Sequence, residues 1–273
     1  MNSIKNLIVP EKIVLTNGKE VKEPISKVPF IIIGLLIAIV ISAQITGFKI
    51  STIIKNGHQF TSILEQMIPP NWGYASEVIG PLKETIQMSF VGSLVGSILA
   101  IPFAILSAVN INHNKPLLLF IRAFLSVVRT LPTLVIALVA TYIFDLGPFP
   151  GTVATAVFTL GLLAKMIYEN IETVDMGPFE AAEALGATKL KAFTVSIVPQ
   201  ILPSYLSNCL YCFEGNVRYA AILGYVGAGG IGLILNEKIG WREYDKVGMI
   251  LLLLFITVII IEYISKYIRG KLR

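Results

Sequence analysis

Glu180-Ala181-Ala182-Glu183-Ala184-Leu185-Gly186-Ala187 is a polar, helix-forming island set between two apolar segments. Its composition suits a short surface helix that another protein must grip. A carboxylate near the N-terminus suits the helix dipole, alanines allow close approach, and Gly186 lets the chain turn. The stretch therefore reads as a docking element at a membrane surface, and the apolar segments on either side decide the fold class.

The 273 residues are 55% hydrophobic and 14% charged, with a mean hydropathy of +0.75. A water-soluble domain of this size does not reach such values, so the bilayer is the solvent. A spanning helix takes roughly 20 apolar residues, which allows about six spans and leaves no length for a soluble nucleotide-binding domain. The expected fold is an all-α integral membrane protein, with any ATP chemistry supplied by a partner. A net charge of +5 raises the question of nucleic acid. The lysines and arginines are dispersed around apolar segments, however, which is the pattern of membrane orientation, and no nucleic-acid partner is expected.

Residues 1–28 carry Lys5, Lys12, Lys19, Lys22 and Lys27 ahead of an uncharged run from Phe30 to Thr46. That arrangement predicts a cytosolic N-terminal tail and an uncleaved first span. Residues 29–80 are read as this span plus an outer segment containing Pro69-Pro70-Asn71-Trp72, with Trp72 and Tyr74 at the interface. Residues 81–265 form the main membrane domain, with further spans near Thr85–Val109, Arg129–Phe144, Thr152–Tyr168, Pro199–Phe213 and Val247–Ile264. Gly92, Gly96 and Ala100 share a helix face and predict close helix packing. Arg122 and Arg129 would each cost about 2.5 to 3.5 kcal/mol at the bilayer centre, so both are placed near the cytosolic entrance. Residues 266–273, with Lys266, Arg269, Lys271 and Arg273, form a cytosolic tail. Both termini are then inside a multi-pass protein of the cell membrane. Residues 214–246 are the outer segment in this scheme, although Arg218, Lys238, Arg242 and Lys246 give it more positive charge than the rule prefers.

Candidate chemistry is sparse. Glu214 and Arg218 are four residues apart and can pair on a helix. They are a self-neutralising structural pair, a pair lying at the outer interface, or part of a path for an anion, which a guanidinium can hold through two parallel bonds. Gly227 to Gly232 satisfies G-x-G-x-x-G, but lacks the preceding strand and the acidic residue that a dinucleotide site needs. A broken helix or re-entrant turn lining a cavity is the better reading of Gly227, Gly229 and Gly230. Cys209 and Cys212 form a C-x-x-C inside an apolar run, with His58 and His113 far away, so ordinary membrane-helix cysteines are expected over a metal or redox site. Glu262 can pair with Lys266, four residues on.

Taken together, the docking loop from Glu180 to Pro199, Glu214-Gly215-Asn216-Val217-Arg218, the glycine-rich Leu223 to Gly232 segment, Pro69-Pro70-Asn71-Trp72 and Arg129-Thr130-Leu131-Pro132 resemble the permease subunit of the phosphonate ABC importer family. The Glu-Ala-Ala loop is diagnostic of importer permeases generally. The family pattern places an isoleucine where this chain has Ser196 and a leucine where it has Val198.

The resemblance implies a type I importer permease bundle with a cytosolic coupling helix. It also implies a homodimer, two cytosolic ABC ATPase subunits binding ATP-Mg, an extracytoplasmic phosphonate-binding protein, and no cofactor or catalytic site in this chain. Glu180, Ala181, Ala182 and Gly186 are the coupling residues it implies. Arg129, Glu214, Arg218, Gly227, Gly229 and Gly230 are candidates for the pathway of phosphonate moved by alternating access. Alternatives are the same architecture for phosphite, phosphate or methionine, a membrane redox or assembly protein using Cys209 and Cys212, and a proton-coupled carrier.

Overall fold

The computed structural model describes residues 12–14, 18, 20–22 and 27–272. Most of the expected cytosolic tail 1–28 lies outside these, as does Arg273. The chain divides into two units, 1–62 and 63–273. The second unit begins earlier than the expected boundary at residue 81.

In the first unit, strands β1 (Lys12–Val14) and β2 (Glu20–Lys22) pair antiparallel, with Ile13 opposite Val21. Helix α1 (Val28–Ile45) is the expected first span. Helix α2 (Ile50–Met67), which crosses into the second unit, is amphipathic. The polar stretch after the first span is therefore largely helical, because Ser51, Lys55 and His58 recur at helical spacing against Ile50, Ile53 and Ile54.

The second unit is a helical bundle: α3 (Ala75–Ser107), α4 (Lys115–Thr130), α5 (Thr133–Phe144), α6 (Pro148–Thr173), α7 (Gly177–Ala184), α8 (Lys189–Ala192), α9 (Val198–Leu223), α10 (Ile231–Gly240) and α11 (Tyr244–Lys271). Among the described residues four helical stretches, α1, Trp72–Ser107, α6 and α11, are long and apolar enough to span alone. The number is six where each of two bent pairs counts as one span: α4 with α5 at 89°, and Lys189–Val226 with α10 at 51°. Pro132 ends α4, since the residue before a proline is driven out of helical geometry. Leu131 there is extended, with ψ 123°.

Small residues make the seam of α3 against α6. A Cβ on Gly96 would lie 2.4 Å from the carbonyl oxygen of Ala156, and one on Gly92 would lie 2.9 Å from that of Thr152. Backbone therefore meets backbone along the predicted stripe, which ends at the fully buried Ala100.

The extents of the fifth and sixth spans differ from expectation. The fifth span does not stop at Phe213: α9 runs on to Leu223, so Glu214 and Arg218 belong to the membrane helix and not to an outer segment. The i,i+4 pairing of these charges removes the reason to end the helix there. The sixth helix begins at Tyr244 and continues through the expected tail to Lys271. Glu262 and Lys266 are both exposed, and among the described residues no ion pair joins them.

Candidate functional site: helix α7 and the Glu214–Arg218 pair

The island between the apolar segments forms α7, eight residues long, between α6 and α9. Pro178 lies in its first turn, where the missing N–H costs nothing, and Asp175 Oδ1 accepts from the Gly177 amide at 2.9 Å. The helix closes with Leu185 N–H donating to Ala181 O, Gly186 N–H to Glu183 O and Ala187 N–H to Ala182 O. Gly186 adopts φ +87°, the left-handed turn that the sequence required of it.

Phe179 is 9% exposed and anchors α7 in the core. Glu180, Ala181, Ala184 and Leu185 face outward, with Leu185 89% exposed and Leu190 beyond it 76%. Ser196, where the family pattern has isoleucine, donates to the carbonyl of Pro178 at 3.0 Å. It lies in a π-helical turn, Phe193–Ile197, just before Pro199. Gln200 adds a second tie by donating to Asp175 O and accepting from Asp175 N–H.

Behind α7, Arg122 in the middle of α4 joins the C-terminal ends of α3 and α6. Its Nε and Nη2 donate to Ser107 O at 2.9 and 2.8 Å, it is ion-paired with Glu172, and its guanidinium lies 4.7 Å from the Tyr168 ring centroid. Glu172 also accepts from Val109 N–H. A cation at the C-terminal ends of α3 and α6 is favoured by both helix dipoles. Arg129 is exposed in the last turn of α4, and its Cγ would lie 3.1 Å from a Cβ on Gly161 of α6.

Between Glu214 and Arg218, a buried network that gave no signal in the sequence ties α9 to α3 and α6. Asn216, fully buried, donates from Nδ2 to Ser93 Oγ and to Thr159 Oγ1, both at 2.8 Å. Ser93 is near the midpoint of α3 and Thr159 near that of α6. Arg218 lies two residues further along α9.

Glu214 is 6% exposed and carries two arginines. Arg218 Nη2 lies 3.0 Å from Oε1, and Arg269 Nη2 of α11 lies 3.4 Å from Oε2. The Arg218 side chain is 48% exposed and lines a cavity of about 270 Å³ together with Phe158, Tyr211, Gly215 and Tyr219.

The glycine segment forms the expected break, with Gly227, Gly229 and Gly230 at φ +74°, +75° and +68°. It is held inside the bundle by Ile231 N–H donating to Thr85 Oγ1 at 2.7 Å and by Gly147 N–H donating to Gly227 O. Gly229 and Gly230 are buried, against Pro148 and Thr85. A Cβ on Gly224 would lie 1.9 Å from the carbonyl carbon of Gly232, so glycine density here lets α9 and α10 meet backbone to backbone.

Cys212 is buried and Cys209 half-buried, with no disulfide. Among the described residues, no group of three His, Cys, Asp or Glu could hold a metal ion.

Residues 100–273 match the family of binding-protein-dependent transport system inner membrane components. The chain belongs to that family. It is 36% identical over 211 residues to the phosphate-import permease protein PhnE of Mycolicibacterium smegmatis, covering 77% of this chain but only 40% of that longer relative. It is 28% identical over 236 residues to the phosphite transport system permease protein PtxC of Stutzerimonas stutzeri, covering 86% of each. Among solved structures, an inward-facing methionine ABC transporter, MetNI, aligns at a TM-score of 0.67 and 24% identity over 74% of this chain and 99% of that chain. That likeness establishes a type I importer permease fold. The expected family and fold are therefore both met, and the chain is a multi-pass permease subunit.

Proposed function

We propose that this chain imports a phosphorus oxyanion, with phosphonate as the first candidate, as one half of a homodimeric permease driven by two cytosolic ABC ATPase subunits. The observation that carries the reading is α7: a short helix anchored by Phe179 and Ser196 that turns Glu180, Ala181, Ala184 and Leu185 outward. A protruding, rigidly seated helix is suited to transmitting the motion of a partner. In this reading Glu180, Ala181, Ala182 and Gly186 couple ATP binding to alternating access. ATP-Mg is held by the partner, and an extracytoplasmic binding protein delivers cargo. Coupling means that ATP and cargo each favour one of two arrangements of the bundle.

The phosphate- and phosphite-import relatives support an oxyanion cargo. Glu214 and Arg218, with Arg129 nearer the cytosol, belong to the pathway, and the segment containing Gly227, Gly229 and Gly230 forms its packed outer shoulder. Both termini are cytosolic, in keeping with six spans and the N-terminal lysines. Deleting the gene with its partner genes intact should abolish uptake of labelled 2-aminoethylphosphonate, and this chain alone should restore it. Unchanged uptake in a cell without a second importer would shift the cargo to phosphite or phosphate, and loss of none of the three would refute the reading.

A further inference from the structure

A half-exposed arginine within a helix of the membrane bundle is costly unless it faces water or a charge. Arg218 has one charged partner among the described residues, Glu214, and that contact uses Nη2 alone. A guanidinium has five N–H donors in a planar fork. The Nε and Nη1 donors of Arg218 therefore remain available at the cavity bounded by Phe158, Tyr211, Gly215 and Tyr219. Gly215, one turn before Tyr219, leaves that wall open, since a Cβ there would meet only the Tyr219 ring edge, at 3.9 Å.

Glu214 has its own provision. Its two oxygens hold different cations, Oε1 facing Arg218 and Oε2 facing Arg269. A buried carboxylate stripped of its only cation is heavily penalised. One that holds a second cation is not.

Resting on the importer reading, we infer that Glu214, Arg218 and Arg269 form an exchange site for a tetrahedral oxyanion: the anion takes Arg218 from Glu214, and Arg269 retains Glu214 while it does so. Glu214 competes with the cargo for Arg218, so the anion is bound briefly and released. That suits a transit site better than a storage site. Phosphonate, phosphite and phosphate share the oxygens that a guanidinium fork holds.

The test uses the assembled complex, this chain with its ATPase and binding protein, in proteoliposomes given labelled 2-aminoethylphosphonate, phosphite or phosphate. Arg218→Gln should co-elute with the ATPase and lose about ten- to a hundredfold in the rate of uptake per unit substrate, the loss expected for one charge-assisted bond. Arg269→Gln leaves Glu214 only Arg218 to hold, so it should raise the KM for uptake with little change in maximal rate. The double variant Glu214→Gln with Arg269→Gln should bring KM back toward the wild-type value. A merely structural ion pair would not produce that reversal.

Arg218→Gln transporting with wild-type KM would overturn the inference. If that variant does not assemble, unchanged KM in Arg269→Gln overturns it. Wild-type complex inert toward all three anions would instead sink the importer reading, so the two failures are distinguishable.

Discussion

The hydroxyl of Ser196 donates to the carbonyl of Pro178 at 3.0 Å, tying the first turn of α7 to the π-helical turn that leads into α9. The contact lies at a position where the family pattern has an isoleucine, so a departure in sequence becomes a polar tie at the seat of α7.

Ser196→Ala removes that tie at a site only 8% exposed. The net loss should be about 1 kcal/mol of local stability. Amide exchange across α7 should speed up, and less ATPase should copurify with the chain. Ser196→Ile forces a larger side chain into the same space and should be worse than alanine.

Gly186 is open, with nothing within 4 Å of an added Cβ, yet its φ of +87° is unfavourable for other residues. Gly186→Ala should therefore cost about 1 kcal/mol through backbone strain alone. Gly186→Asp adds a charge at the docking surface and should abolish transport by weakening ATPase attachment. Normal copurification of the ATPase with Gly186→Asp would refute the docking role, whatever happened to uptake.

Asn216→Leu should lower the detergent-solubilised protein's resistance to heat, because it removes two side-chain bonds at the junction of α3, α6 and α9. The expected loss is about 1 to 3 kcal/mol. An unchanged melting temperature would show that the junction is held by packing alone.

Glu243 lies in the turn between α10 and α11, where the hydrogen bond from Lys246 and the ion pair with Lys238 hold its carboxyl below the usual glutamate range. A lowered folded-state pKa stabilises the fold fully above the unfolded value of about 4.3, and this contribution disappears as pH falls through the folded value. Thermal stability should therefore carry no Glu243 contribution to its pH dependence near neutrality and should fall in acid. Glu243→Gln should flatten the acid limb, and an identical limb in the variant would contradict the assignment.

Much of this was readable from residue patterns. The Gly92, Gly96, Ala100 stripe foretold the α3–α6 seam because small residues at a four-residue spacing have one plain use in lipid. Glu180 to Gly186 foretold α7, since helix formers ended by a glycine specify their own boundary. The charged pair in α9 obscured the extent of the fifth span: Glu214 and Arg218 look like an interface until their partners are known, and Arg269 lies 51 residues beyond Arg218 in the chain. Asn216 was hidden for the same reason, as Ser93 and Thr159 come from distant helices. The glycine segment showed its broken helix in sequence, but only the positions of Thr85 and Pro148 reveal that it is packed inside the bundle.

The most direct measurement is uptake of labelled 2-aminoethylphosphonate, phosphite and phosphate into proteoliposomes holding this chain with its ATPase and binding protein. The account predicts accumulation of at least one anion that requires ATP, survives a protonophore and is lost in Gly186→Asp. Accumulation that persists without ATP and collapses with the protonophore would contradict it.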